Sequence, residues 1–191
     1  MARVKEFDTD KAIDQAMEIF WRNGFNKSSL SQLTEATGLH KGSLYGAFQS
    51  KEHLFQLCLD RYMSDTRNAF SNSSLGPKEY IGDFFSRKLN CSQKRREKGC
   101  LLMNSSMEFA HNAEEKKKLD TLLKGVQDNF KTALSKGKEV GEFSKSMNVN
   151  QTSERLLALA FTMENMGKLG KDKKFLANIA NGTLSELKIQ I

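Results

Sequence analysis

With 191 residues, 38% of them hydrophobic and 28% charged, the chain can fold as one or two domains with a well-solvated surface. It lacks a run of 18 apolar residues, and its start, MARVKEFDTD, is neither a signal peptide nor a lipidation site, so no membrane span is expected and a cytoplasmic location is. Cys58, Cys91 and Cys100 are odd in number and irregularly spaced, which argues for reduced thiols over a disulfide frame or a zinc site. A single proline, abundant Leu, Ala, Glu and Lys, and the absence of alternating β-branched runs predict an all-α fold.

The first nine residues are polar, with Arg3 and Lys5, and read either as a frayed terminus or as an arm reaching a duplex. From about 10 to 23, Ile13, Ala16, Met17 and Phe20 recur at helical spacing. Gly24 ends that helix and Phe25 packs back. Trp21 lies off the main apolar line, suited to covering the edge of a small core or to touching the later part of the chain. Ser28 and Ser29 precede Leu30 as a helix-start signal, and Leu30, Leu33 and Ala36 make one apolar side. Gly38 stops this second helix, because glycine adopts the left-handed exit at little cost. A third helix is predicted over 41–48, with Leu44 and Phe48 inward. Two short helices around a glycine-containing turn form the helix-turn-helix pattern, whose second helix lies in the major groove of DNA. The exposed side of that helix offers Lys41, Gly42, Ser43, Tyr45, Gly46 and Ala47: one cation, hydroxyls that donate to phosphate, and small groups that let the backbone approach it.

Overall charge adds little to that reading. The net charge of +7 and the pI of about 9.3 suit nucleic acid, but the basic residues up to Lys51 are nearly cancelled by acids. The excess lies in Arg87–Lys88, Lys94–Arg96, Lys116–Lys118 and Lys171–Lys174, read as solvated faces and loops. The nucleic-acid reading therefore rests on the motif and on Lys27, Lys41 and Lys51.

Ser50 is a candidate cap for a helix from about 51 to 70, with Leu54, Phe55, Cys58, Leu59 and Tyr62 as its buried stripe. A rod of this length can carry movement between domains. SNSSLGP, 71–77, marks the boundary, giving a DNA-binding domain over 1–51, the connecting helix, and a helical ligand-binding and dimerisation domain over 71–191. Helices are expected in the latter at about 78–91, 101–110, 113–138, 150–169 and 173–188. LLALAFTMENM, 156–166, is apolar nearly all round and needs two partners. With the last helix it suggests a four-helix interface between two chains, carried by Leu156, Leu159, Met163, Phe175, Ile179 and Leu184.

Phe84, Phe85, Cys100, Met103, Met107, Phe109, Phe130, Phe161, Met163 and Met166 are either core or the lining of a cavity, and as a set they favour an apolar guest. A phosphate-binding loop, a nucleophile elbow and a metal-binding His-x-x-Glu pairing are all missing, and a lone Glu108–His111 pair suits hydrogen bonding better than a metal. Neither an enzyme nor a cofactor is expected. A helical adaptor, or an activating or architectural DNA binder without an effector, remains an alternative.

The stretch TGLHKGSLYGAFQSKEHLF, with WRNGFNKSSLSQLTEATG before it, resembles the DNA-binding signature of the TetR family of bacterial repressors, closely over about 10–57. The resemblance implies a homodimer on a near-palindromic operator, with contacts from Ser28, Ser29, His40, Lys41, Gly42, Ser43, Tyr45, Gly46 and Lys51. His40 stands where a small hydroxyl is usual, and Gly46–Ala47 where an aromatic or histidine is common. It further implies release by a small apolar or electrophilic effector, bound near Phe84, Cys100, Met103, Met107, Phe130, Phe161 and Met163. KGCLLMNSSMEFA is similar to a stretch in a branch of the family, some of whose members sense electrophiles through a cysteine. Cys100 reads either as a small buried hydrophobe or as such a sensor, since Arg95, Arg96 and Lys98 beside it, at a helix start, would lower its thiol pKa.

Overall fold

Side-chain caps set where the helices begin. Asp8, Ser29, Ser92, Asn112, Asn148 and Asp172 each accept a hydrogen bond from a backbone N–H of the turn they precede. At Ser29 the arrangement is reciprocal, since Gln32 reaches back to the Ser29 N–H. A computed structural model describes residues 7–64, 71–109 and 112–191. Among them run ten α-helices: α1 (Thr9–Asn23), α2 (Leu30–Thr37), α3 (Lys41–Phe48), α4 (Lys51–Ser64), α5 (Pro77–Asn90), α6 (Gln93–Lys98), α7 (Leu101–Glu108), α8 (Ala113–Glu139), α9 (Val149–Lys168) and α10 (Lys173–Leu184). A 3-10 turn, Ser185–Leu187, follows. None of these helices is long and apolar enough to cross a membrane.

The expected helices are present, with three differences. The six-residue helix α6 has no apolar residue to give it a period, so only its cap Ser92 and the closing Gly99 announce it. The connecting helix is described to Ser64, and the predicted stretch 65–70 lies outside the described residues. The last helix stops at Leu184 and tightens into the 3-10 turn instead of running on to 188.

Apolar side chains form two cores. The first gathers Phe20, Leu33, Leu44, Phe48, Leu54, Phe55 and Leu59 from α1–α4, and continues through Cys100, Leu101, Leu102 and Phe109 into Leu119 and Leu122 of α8. The second holds Ile81, Phe85, Phe130, Leu134, Leu156, Met163, Leu176, Ala180 and Leu184 from α5, α8, α9 and α10. Helices α1 and α4 thus sit against α7, and the first core runs on into the first half of α8.

Four of the six expected interface residues are corrected by this packing. Leu156, Leu159, Met163 and Leu184 face the chain's own second core and are almost fully buried there, because α5 and α8 already cover that side of α9 and α10. Phe175 stays exposed and Ile179 half-buried. The uncovered side of the pair carries Ala158 and Thr162 on α9, Leu169 just past its end, and Phe175, Ile179 and Gly182 on α10. Arg155 on α9 and Glu186 beyond α10 bracket one end, with two N–H···O contacts of 2.6 Å.

A candidate nucleic-acid interface and the cavity behind it

Helix α3 is held by two side chains. Leu44 and Phe48 are buried against α1, α2 and α4, which fixes the opposite face outward. Gly38 makes the turn from α2 in the left-handed conformation (φ 67°, ψ 11°). His40 occupies the cap position of α3 without a side-chain cap bond, so its ring is not spent on the helix. Lys41, Gly42, Ser43, Tyr45 and Gly46 are exposed, Tyr45 to 39%. A Cβ added at Gly42 would meet nothing within 4 Å, so the fold itself does not require glycine there.

The flanking residues divide. Ser29 is exposed and accepts from the Gln32 N–H, which leaves its own proton free to donate outward. Lys51 lies over the Phe25 ring, 4.4 Å from the centroid, its stem half-buried. Ser28 must be removed from the expected contact set. It is 1% exposed and its hydroxyl donates to Gly24 O at 2.5 Å, so it closes the turn from α1 to α2.

That turn is gripped from the far half of the chain. The Glu108 carboxylate, at the end of α7, accepts from the Phe25 N–H (2.9 Å) and the Asn26 N–H (2.7 Å). Phe25 packs in turn against Phe55 and Phe109, at ring separations of 5.1 and 5.0 Å. Farther along α1, Trp21 Nε1 donates to Gly99 O (3.0 Å), and its ring meets Tyr62 of α4 edge-on. Of the two readings open to Trp21, the structure favours contact with the later part of the chain. Lys98 pairs with Glu18 alongside.

Arg95 connects this joint to a cavity. Its guanidinium stacks on Trp21 at 4.5 Å and donates to Gly99 O (2.9 Å), to the Tyr62 hydroxyl (3.4 Å) and to both oxygens of Glu164 (3.1 and 3.3 Å). Lys88 Nζ reaches the same carboxylate at 2.6 Å. Burial pushes the Glu164 carboxyl up, but Lys88 and Arg95 outweigh it and hold the group below the usual carboxylate value. These three side chains line one wall of a cavity of about 270 Å³, together with Tyr80, Phe84, Arg87, Cys91, Val126, Asn129 and Phe130.

Only Phe84 and Phe130 of the expected ligand-binding residues line it. Met107 points to solvent, 82% exposed. Met103 and Phe161 pack against the first core, and Met163 is buried in the second. Cys100 is also buried in the first core, where Tyr62 donates to its sulfur (3.8 Å). Of its two readings the structure favours the small buried hydrophobe: burial pushes the thiol pKa up, and the neighbouring arginine is committed to Glu164. Glu108, read as suited to hydrogen bonding, does so at Phe25 and Asn26, and the residues that sequence reasoning missed are Lys88, Arg95 and Glu164. The one signal for them was a lone acid inside LLALAFTMENM, which a helix buried on that side can hold only if it is paired. Among the described residues no cluster of His, Cys, Asp or Glu could hold a metal, and His111 lies outside them.

Comparison with known proteins agrees with this architecture. Residues 12–58 match the model for bacterial regulatory proteins of the tetR family, and residues 77–182 match that for the tetracyclin repressor-like C-terminal domain. The chain is 38% identical over 109 residues to the HTH-type transcriptional repressor ComR of Escherichia coli, across 54% of this chain and 51% of ComR. It therefore aligns with about half the length of that relative. It is 30% identical over 149 residues to the HTH-type transcriptional regulator YezE of Bacillus subtilis, across 75% and 77% of the two chains. The fold is shared with a cysteine mutant of CifR complexed with 26-base-pair operator DNA (TM-score 0.82, 22% identity, 96% and 98% coverage). It is also shared with the reduced form of Escherichia coli NemR (TM-score 0.79, 21% identity, 92% and 95%). The chain belongs to the TetR family of DNA-binding transcriptional regulators, which are not enzymes, with an N-terminal helix-turn-helix unit and a C-terminal helical domain.

Proposed function

We propose that the chain is a homodimeric repressor that holds a near-palindromic operator through α3 and lets go when a small molecule enters the cavity. The observation that carries the first half is the outward face of α3, which the described residues of the chain leave uncovered. Lys41, Ser43 and Tyr45 are exposed there beside Gly42, a residue that only an approaching partner requires to be small. His40, Ser29, Gly46 and Lys51 frame that face, and phosphate is the partner their chemistry suits. The CifR mutant complexed with operator DNA supports the assignment by analogy of fold.

The second copy is assigned to the uncovered side of α9 and α10. Leu169, 71% exposed, and Phe175 are large apolar groups left in solvent on that side. Gly182 lies between helical turns where a Cβ would meet nothing within 4 Å among the described residues, although glycine weakens a helix by about 1 kcal/mol. Close packing of another helix accounts for both. A two-fold dimer would then set two α3 helices about 34 Å apart, or a multiple of that.

Selection of bound duplexes from a random pool tests the reading. We expect an inverted repeat, with Lys41→Ala weakening binding to every selected sequence and lowering the slope of log affinity against log salt by about 1. Failure to bind any duplex in a salt-dependent way would remove the DNA assignment.

Release by cysteine modification is the weaker route. The CifR structure is of a cysteine mutant and the NemR structure is of a reduced form, which keeps thiol chemistry in view for those proteins. In this chain Cys100 is buried and its thiol is pushed up. Cys100→Ser is expected to leave any release of DNA by quinones or aldehydes unchanged in gel-shift titrations. Abolished release in that variant would restore the thiol switch.

A further inference from the structure

The cavity is unlike an apolar pocket in its charge. Among its described lining residues, three cations face one carboxylate. Arg87 is satisfied by Asp83, four residues back on α5, at 2.7 Å. Lys88 and Arg95 are left to share Glu164, two positive charges on one negative, with the carboxylate 8% exposed. Such a wall lacks one anion. The cations stand beside aromatic surface: Phe84 and Phe130 meet edge-on at 5.0 Å, and Lys88 Nζ lies 4.9 Å from the Phe84 centroid.

Size narrows the guest further. A dry cavity of about 150 Å³ accommodates benzene. The 270 Å³ here admits one aromatic ring, or two fused, with a short acidic substituent. A cation is disfavoured by the cost of bringing it against Lys88 and Arg95.

We propose that this cavity binds a small aromatic carboxylate, its ring against Phe84 and Phe130 and its carboxylate on Lys88 and Arg95, and that this binding is the signal that loosens the DNA-binding unit. The proposal rests on the effector-released regulator proposed above and gives that effector a chemical class. The route outward is the Arg95 side chain. The guanidinium that would take the guest's charge also stacks on Trp21, meets Tyr62 and shares Gly99 O with the Trp21 indole. A second carboxylate drawing Arg95 toward the cavity pulls it from α1 and α4 together, the two helices on which α2 and α3 are seated.

Trp21 is the only tryptophan in the chain and reports on this contact directly. Its emission is to be titrated in the full-length protein with benzoate, phenylacetate and 2-naphthoate, and with benzamide and benzylamine as neutral and cationic counterparts. The carboxylates should give saturable changes, the amide and amine none at the same concentrations. Lys88→Gln, checked for fold by circular dichroism, should weaken carboxylate binding about tenfold, the loss of one charge-assisted hydrogen bond. The binding carboxylates should also lower affinity for the selected duplex. Equal response to benzoate and benzamide, no saturable response to any probe, unchanged binding in Lys88→Gln, or unchanged duplex affinity would each overturn the proposal. A protein that binds carboxylates but no duplex would overturn the repressor reading and the signalling step while leaving the site. One that binds duplex but no carboxylate would overturn the site alone.

Discussion

Glu164→Ala is expected to lower the free energy of unfolding by about 3–5 kcal/mol, the cost of leaving buried charges without their counter-ion. The carboxylate is the common partner of Lys88 at 2.6 Å and Arg95 at 3.1 Å, and removing it leaves two cations on one another's side of the second core. Both keep some solvent contact, so the lower end of that range is the sharper expectation. Glu164→Gln retains an acceptor and should cost less. The pH dependence gives an independent check. A carboxyl held below its ordinary value in the folded chain adds stability that is complete above the unfolded value and is lost as pH falls through the folded one. The parent should therefore lose stability on that acidic limb and Glu164→Ala should lose less. Urea unfolding from pH 7 downward measures both. A difference within about 1 kcal/mol at neutral pH would mean that the triad is screened like a surface pair.

Such a triad was only partly legible in the sequence. The helix-turn-helix was readable because its signals are local: Leu30, Leu33 and Ala36 at helical spacing, Gly38 at the turn, and Leu44 and Phe48 four apart. The long helices were readable for the same reason, to within a residue or two at most ends. What failed needed tertiary information. Leu156, Leu159, Met163 and Leu184 fit an intermolecular seam as well as an internal one, and only the positions of α5 and α8 decide between them. Lys88 and Arg95 lie in basic runs that read as solvated. Their role comes from Glu164, 69 residues beyond Arg95, which brings α6 down on α9. Cys100 read as a buried hydrophobe or as a thiol activated by nearby positive charge, and proximity in sequence does not expose a thiol to that charge or to solvent. Burial reversed the sign. Ser28 and Ser29, adjacent and alike in chemistry, ended on opposite sides of the turn, one buried under Gly24 and one capping α2.

The turn at Gly24 carries the second large effect. Its backbone, φ 81° and ψ 167°, lies in a region nearly reserved for glycine. A Cβ placed there would sit 2.3 Å from Glu108 Oε1, the oxygen that accepts the Phe25 N–H. Gly24→Ala must therefore strain the turn and expel the carboxylate that joins α7 to it. Backbone strain of about 1–3 kcal/mol adds to the loss of hydrogen bonds to a charged acceptor, each worth about 1.5–3 kcal/mol, so a total near 3 kcal/mol or more is expected. A double-mutant cycle separates the parts. In a Glu108→Ala background there is no carboxylate to expel, and Gly24→Ala should cost only the backbone strain. The coupling energy between the two sites should then be about 1.5 kcal/mol or more, the worth of at least one hydrogen bond to the carboxylate. Strict additivity would show that Glu108 moves aside without loss, and that the contact between the two halves at this turn is carried by the rings of Phe25, Phe55 and Phe109 instead.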